Sequence, residues 1–222
     1  MSVLKLFRTG NEEHVSLSAA HAVPLFNTRD MMYQSIRLAG LLCFGMMVSV
    51  AYAEEDPLLL ESRSLVKTFA TRLTGELTKA IEKGGPVLAI GVCKDIAPQI
   101  ASELSRKSGA KVSRTSTRYR NPANAPEPWQ REVLERFAKE MSSADGAQPP
   151  EYFERGSGNE PIRYARAIPA GGMCLLCHGK NVPGEVSKIL DAEYPFDQAR
   201  GYELGDLRGA FSVSWPSEEK SQ

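Results

Sequence analysis

The chain has 222 residues, with 27 basic and 27 acidic side chains, no formal net charge, 42% hydrophobic residues and 24% charged ones. Balanced charge gives no overall electrostatic pull toward nucleic acid or a membrane surface, and the composition is ordinary for a soluble globular protein. The length accommodates one domain with a proper core plus a targeting segment.

The first readable element is that targeting segment. Arg37 precedes an apolar run, Leu38 to Val50, followed by Ala51-Tyr52-Ala53 and then acidic Glu54-Glu55-Asp56. A basic flank, a short apolar core and a small-x-small site describe a cleavable secretory signal peptide over 32–53. The run is shorter than the roughly 20 apolar residues of a membrane span, so an uncleaved anchor is the second reading. Cys43 does not read as a lipidation site, because Leu42 stands where a small residue is wanted. Signal peptides begin close to the initiator, so translation is expected to start at Met31 or Met32 and residues 1–31 to be an upstream extension. Residues 54–222 are then one exported domain, expected in the periplasm.

Pro57 to Gly84 reads as a long helix, with Leu58, Leu65, Phe69, Leu73, Leu77 and Ile81 at three- and four-residue steps. Gly84-Gly85 ends it, and Pro86 suits the first position of the next helix. Val87 to Lys107 reads as two short helices interrupted at Pro98, with Cys93 near the end of the first. Lys111–Thr115 reads as a short strand, Asn121–Pro126 as a loop, and Trp129 to Met141 as a helix. Glu151–Arg155 and Ile162–Ile168 read as a strand pair, and Gly209–Trp215 alternates as a last strand. The order is α+β.

The chemistry enters at Cys174-Leu175-Leu176-Cys177-His178. In C-x-x-C-H the two cysteines reach the two vinyl groups of one porphyrin, and the histidine falls beneath the iron. A thioredoxin-like pair would need a βαβ context and a zinc site a second ligand pair, and neither is present in the sequence. One covalent haem c is therefore expected, bound through Cys174 and Cys177 with His178 as an iron ligand.

The opposite axial position is narrowed by elimination. The other histidines, His14 and His21, lie in the leader. Met173 is held on the same side as His178 by its neighbour Cys174. Met141, Cys93, a lysine, water or an open site remain. Cys93 has no disulfide partner once the motif cysteines are used, so it is a buried thiol, paired with another chain, or an iron ligand.

Several further segments form a distinctive series: Arg114-Thr115-Ser116, Arg120-Asn121-Pro122-Ala123-Asn124-Ala125-Pro126, the motif with Gly179, Gly201-Tyr202, and Gly205-Asp206-Leu207-Arg208-Gly209-Ala210. Over about residues 60–216 the chain resembles the bacterial c-type haem domain with a PAS-like fold, formerly a domain of unknown function. That resemblance implies an antiparallel sheet flanked by helices with haem held against it. It also implies iron ligation by the motif histidine and by an upstream cysteine in a Val-Cys segment, here Val92-Cys93. Members are stand-alone periplasmic cytochromes or input domains of membrane-bound sensors.

Arg114, Arg118 and Arg120 then form a basic patch suited to the haem propionates, with solvated surface arginines as the alternative. Arg208 divides between a haem contact and a surface ion pair, and Tyr119, Trp129 and Tyr164 between porphyrin packing and plain core. Two functions follow: an electron carrier using an unidentified redox partner protein, or a haem-based redox or gas sensor acting through a separate signalling partner. Catalysis is not expected, because a peroxidase site wants a distal histidine that the exported domain lacks.

Overall fold

A computed structural model describes residues 54–143 and 148–217, all within one unit. The expected signal peptide, the extension before it, His14 and His21 lie outside the described residues.

Helix α1 spans Pro57–Gly91 and begins where the sequence marks it. The Asp56 carboxylate accepts from the Leu58 amide at 2.9 Å, and Pro57 follows at a position needing no N–H donor. Ser62, Val66, Phe69, Leu73 and Ala80 form its buried stripe, and Trp215 Nε1 satisfies the Ser62 hydroxyl at 2.9 Å. The helix breaks at Gly84 and Gly85, and Gly85 takes φ +70°, a conformation open to glycine at little cost. Pro86 restarts it.

Beyond Pro86 the structure departs from the expected interruption at Pro98. Helical backbone continues through a π-helical turn, Val92–Ile96, directly into α2, Ala97–Ser108. Pro98 sits in the first turn of α2, where its missing donor costs nothing. The irregularity lies earlier, in the π turn that carries Cys93.

Strand β1 (Lys111–Thr115) is followed by helix α3 (Pro128–Ser143), β2 (Glu151–Glu154) and β3 (Ile162–Pro169). The short helix α4 (Gly172–His178) carries the cysteine motif, and α5 (Gly184–Glu193) and β4 (Leu207–Trp215) complete the order. The four strands form one antiparallel sheet in the order β1-β4-β3-β2.

Alternation along the strands divides the sheet into two faces. Val112, Tyr164, Phe211, Val213 and Trp215 pack against α1 and α2. Ala165, Ala167 and Ala210 pack against Val133, Leu134 and Phe137 of α3. Burial of each large side chain, such as Phe69 or Phe137, stabilises the fold by about 1.5–3 kcal/mol. The result is the α+β, PAS-like arrangement of an antiparallel sheet flanked by helices, with a long first helix.

Candidate functional site

A cavity of about 1110 Å³ opens between α1, the α1-facing side of the sheet and α4. It is as large as the biggest ordinary small-molecule sites, about 1,000 Å³. Its floor is apolar, with Val66, Leu73, Leu77, Ala89 and Phe211 contributing. Cys93, Cys174, Cys177 and His178 all line it. The π turn thus brings Cys93 to the same space as the motif far along the chain.

Helix α4 presents the motif. Gly179 closes it, its amide donating to the Leu175 carbonyl at 2.9 Å. A β-carbon at Gly179 would stand 2.6 Å from that oxygen, so the close approach requires glycine. His178 Nδ1 lies 2.6 Å from the Ala199 carbonyl oxygen. A carbonyl only accepts, so Nδ1 carries the proton and Nε2 keeps its lone pair. Burial first, and then the nearby Arg208 and Arg120 charges, hold the imidazole pKa well below its ordinary value. The side chain is a neutral, oriented base with one open nitrogen, which is the state of a metal-ligating histidine.

A buried network fixes the Ala199 carbonyl. Arg120 Nη2 donates to the Cys177 carbonyl at 2.7 Å and to the Ala199 carbonyl at 3.3 Å, while its Nε donates to Asp197 Oδ1 at 3.1 Å. The same Asp197 oxygen accepts from the Ala199 amide at 2.9 Å, and Oδ2 accepts from Arg200 Nε at 2.8 Å. Burial alone would raise the Asp197 pKa; the hydrogen bonds from Arg120 and Arg200 overcome it and hold the carboxyl below its usual range. Arg120 therefore lines the cavity, but its guanidinium is committed to this network.

Arg114 and Arg208 behave differently. Both line the cavity, and neither has a carboxylate partner among the described residues. Arg114 packs over the Phe69 ring at 5.7 Å. Arg208 donates to the Arg118 carbonyl at 3.4 Å and lies 5.4 Å from the centre of the Tyr202 ring. Burial is the main influence on both guanidinium pKa values and lowers them. Two half-buried cations that face one cavity without a carboxylate partner among the described residues suit an anionic occupant.

Arg118, grouped with them from the sequence, does not line the cavity. It lies over Tyr202 at 4.1 Å and donates to the Arg200 carbonyl. Tyr119 lines the cavity, whereas Trp129 stacks on Tyr152 beside α3 and Tyr164 is buried with its hydroxyl donating to Glu151 at 2.8 Å. Met141 packs with the α3 cluster, away from the cavity. Asp197 and Ala199 carry no local pattern that would mark them in the sequence.

These residues fit a haem. Two cysteines stand at the motif spacing, one histidine nitrogen is bare, a third sulfur lines the same space, and two guanidiniums without carboxylate partners among the described residues match two carboxylates.

A solved structure, "Crystal structure of the cyanobacterial heme-protein Tll0287", superposes with a TM-score of 0.57 at 24% identity, covering 75% of this chain and 99% of that one. The likeness establishes the shared fold. No curated protein matches the chain. The family described as Tll0287-like matches residues 14–216, nearly the whole length, and the chain belongs to that family.

Proposed function

We propose that this chain is an exported monohaem c-type cytochrome that transfers electrons, with its haem attached through Cys174 and Cys177 and ligated by His178 and Cys93. One observation carries the reading: Cys93, remote in sequence, lines the same cavity as all three motif residues. The similar solved structure is that of a cyanobacterial heme-protein, which supports the cofactor. The secretory signal expected over 32–53 supports a periplasmic location, where haem c is attached.

The haem supplies a one-electron Fe(III)/Fe(II) couple. The chain's residues set the conditions for it. His178 is held in one tautomer by the Ala199 carbonyl and presents Nε2. Cys93 would supply a sulfur ligand whose negative charge, once bound to iron, favours the ferric state and a low potential. Arg114 and Arg208 offer forked donors to the two propionates. Val66, Leu73 and Phe211 give the cavity an apolar floor. This reading assigns the chain binding and electron carriage, with no catalytic step, and an electron donor and acceptor among redox partner proteins.

A sensor reading has its own supporting observation. Cys93 lies in a π-helical turn, an irregular backbone form that concentrates at functional sites. If reduction or a small gas displaced Cys93, that turn would be the element to rearrange and signal to a partner protein.

The test is spectroscopy of the purified exported protein in both oxidation states. Ferric wild type is expected to be low-spin with thiolate charge-transfer bands, and Cys93→Ala to lose them while keeping covalent haem. An unchanged spectrum in Cys93→Ala removes the proposed ligand. Ready CO binding by the reduced wild type favours sensing; refusal favours electron transfer.

A further inference from the structure

We propose that Arg120 is a positioning residue that lowers the electron-donating strength of His178 by sharing its carbonyl acceptor, and so holds the reduction potential above the value that a His/Cys pair would otherwise give. The inference rests on the haem reading above and deepens it.

The hydrogen bond at the outer nitrogen of a ligating histidine controls how much negative charge the ring passes to its metal. A better acceptor at that nitrogen makes the ring a stronger donor. Here the acceptor is the Ala199 carbonyl, which takes His178 Nδ1 at 2.6 Å and also a guanidinium N–H at 3.3 Å. A carbonyl has two lone pairs and accommodates both donors. The second donor carries a permanent positive charge, since Arg does not lose its proton. It draws density from the oxygen and leaves it a poorer acceptor for His178.

The same nitrogen of Arg120 reaches the Cys177 carbonyl at 2.7 Å, on the peptide that joins Cys177 to His178. One guanidinium therefore holds both the peptide that leads into His178 and the carbonyl to which its ring donates. Holding Asp197 is not its whole purpose, because Arg200 already binds the other Asp197 oxygen at 2.8 Å and is itself anchored on Ser187 at 2.8 Å. Arg120 is only 7% exposed, so its charge acts with little solvent screening. A thiolate ligand from Cys93 and a weakened histidine ligand from His178 would have opposite effects on the potential.

The test is the potential of the haem-loaded exported protein. Arg120→Gln keeps amide donors for the two carbonyls but removes the charge. It is expected to stay low-spin and to shift the Fe(III)/Fe(II) equilibrium about threefold to tenfold toward ferric, a fall of at most about 59 mV for one electron. Arg120→Lys keeps the charge and is expected to return most of the shift. A low-spin Arg120→Gln protein at the wild-type potential overturns the proposal. So does an equal shift in both variants, which would mark a packing effect. Should neither variant load haem, Arg200→Gln decides, since this side chain is partly exposed. Freeing Asp197 to neutralise Arg120 more fully predicts a fall in the same direction, and an unmoved potential overturns the proposal. Wild type without haem would sink the underlying reading as well; haem-bearing protein with unmoved potentials sinks this inference alone.

Discussion

The two regions that bring His178 and Cys93 to the cavity are built in opposite ways. His178 sits in a polar lattice in which Arg120, Asp197, Arg200 and the Ala199 carbonyl are mutually hydrogen-bonded. Cys93 sits on a helical span placed by apolar packing, where Ala89, Val92 and Ala97 join Phe69 and Ile100 in the core. Hydrogen bonds are directional and fix a ring within a narrow range of angles. Packed helices tolerate small slides. The motif side is therefore the fixed reference, and the Cys93 side is where the site has freedom.

That contrast can be broken experimentally, beginning with the lattice. Asp197→Ala removes the carboxylate shared by two arginines and leaves Arg120 buried without its anion; a loss of about 3–5 kcal/mol is expected in denaturant melts. The effect should depend on pH with a definite sign. Asp197 has its carboxyl pKa lowered in the folded chain, so its stabilisation is complete above the ordinary carboxylate value, near 3.9, and is lost as pH falls through the lowered folded value. Wild type should thus lose its advantage over Asp197→Ala in acid, and a gap that stayed constant from neutral pH down to about pH 2 would contradict the assignment.

Gly179→Ala probes the same side sterically. The new methyl meets the Leu175 carbonyl oxygen, and a cost of about 1–3 kcal/mol is expected, with the haem bands altered because α4 must shift. On the other side, Asp56→Ala removes the cap of α1 and is expected to cost about 1 kcal/mol in thermal melts. Its haem spectrum should match wild type. A spectral change there would mean that the far end of α1 communicates with Cys93 and that the two regions are less separate than described.

Much of this was legible in the sequence for local reasons. The C-x-x-C-H motif is a local constellation, and the Gly84-Gly85-Pro86 punctuation acts through backbone conformation alone. Alternation over Gly209–Trp215 marked the face of Phe211, Val213 and Trp215, while small Ala210 and polar Ser212 gave no sign that the opposite face is buried as well. Other features depended on distance or subtlety. The π turn at Val92–Ile96 has no composition of its own, and Pro98 drew the interruption toward itself although its ring fits a first helical turn. Helix α5 is too short for the spacing of Val186, Ile189 and Leu190 to stand out in the sequence. Arg120 and Asp197 belong to segments that meet only in the folded chain. Arg118 was grouped with Arg114 by proximity, but β1 ends at Thr115, and only the residues on the strand inherit its facing.

The position of β4 has a consequence for the timing of assembly. It is a central strand, flanked by β1 and β3, yet it follows α4 in the chain. Neither β1 nor β3 has its full set of backbone partners until Leu207–Trp215 has been made. By then both motif cysteines have already emerged on unclosed polypeptide. If the haem is attached through these cysteines as proposed, thioether formation would have a window in which its target is still accessible, and closure of the sheet by β4 would bring that window to an end.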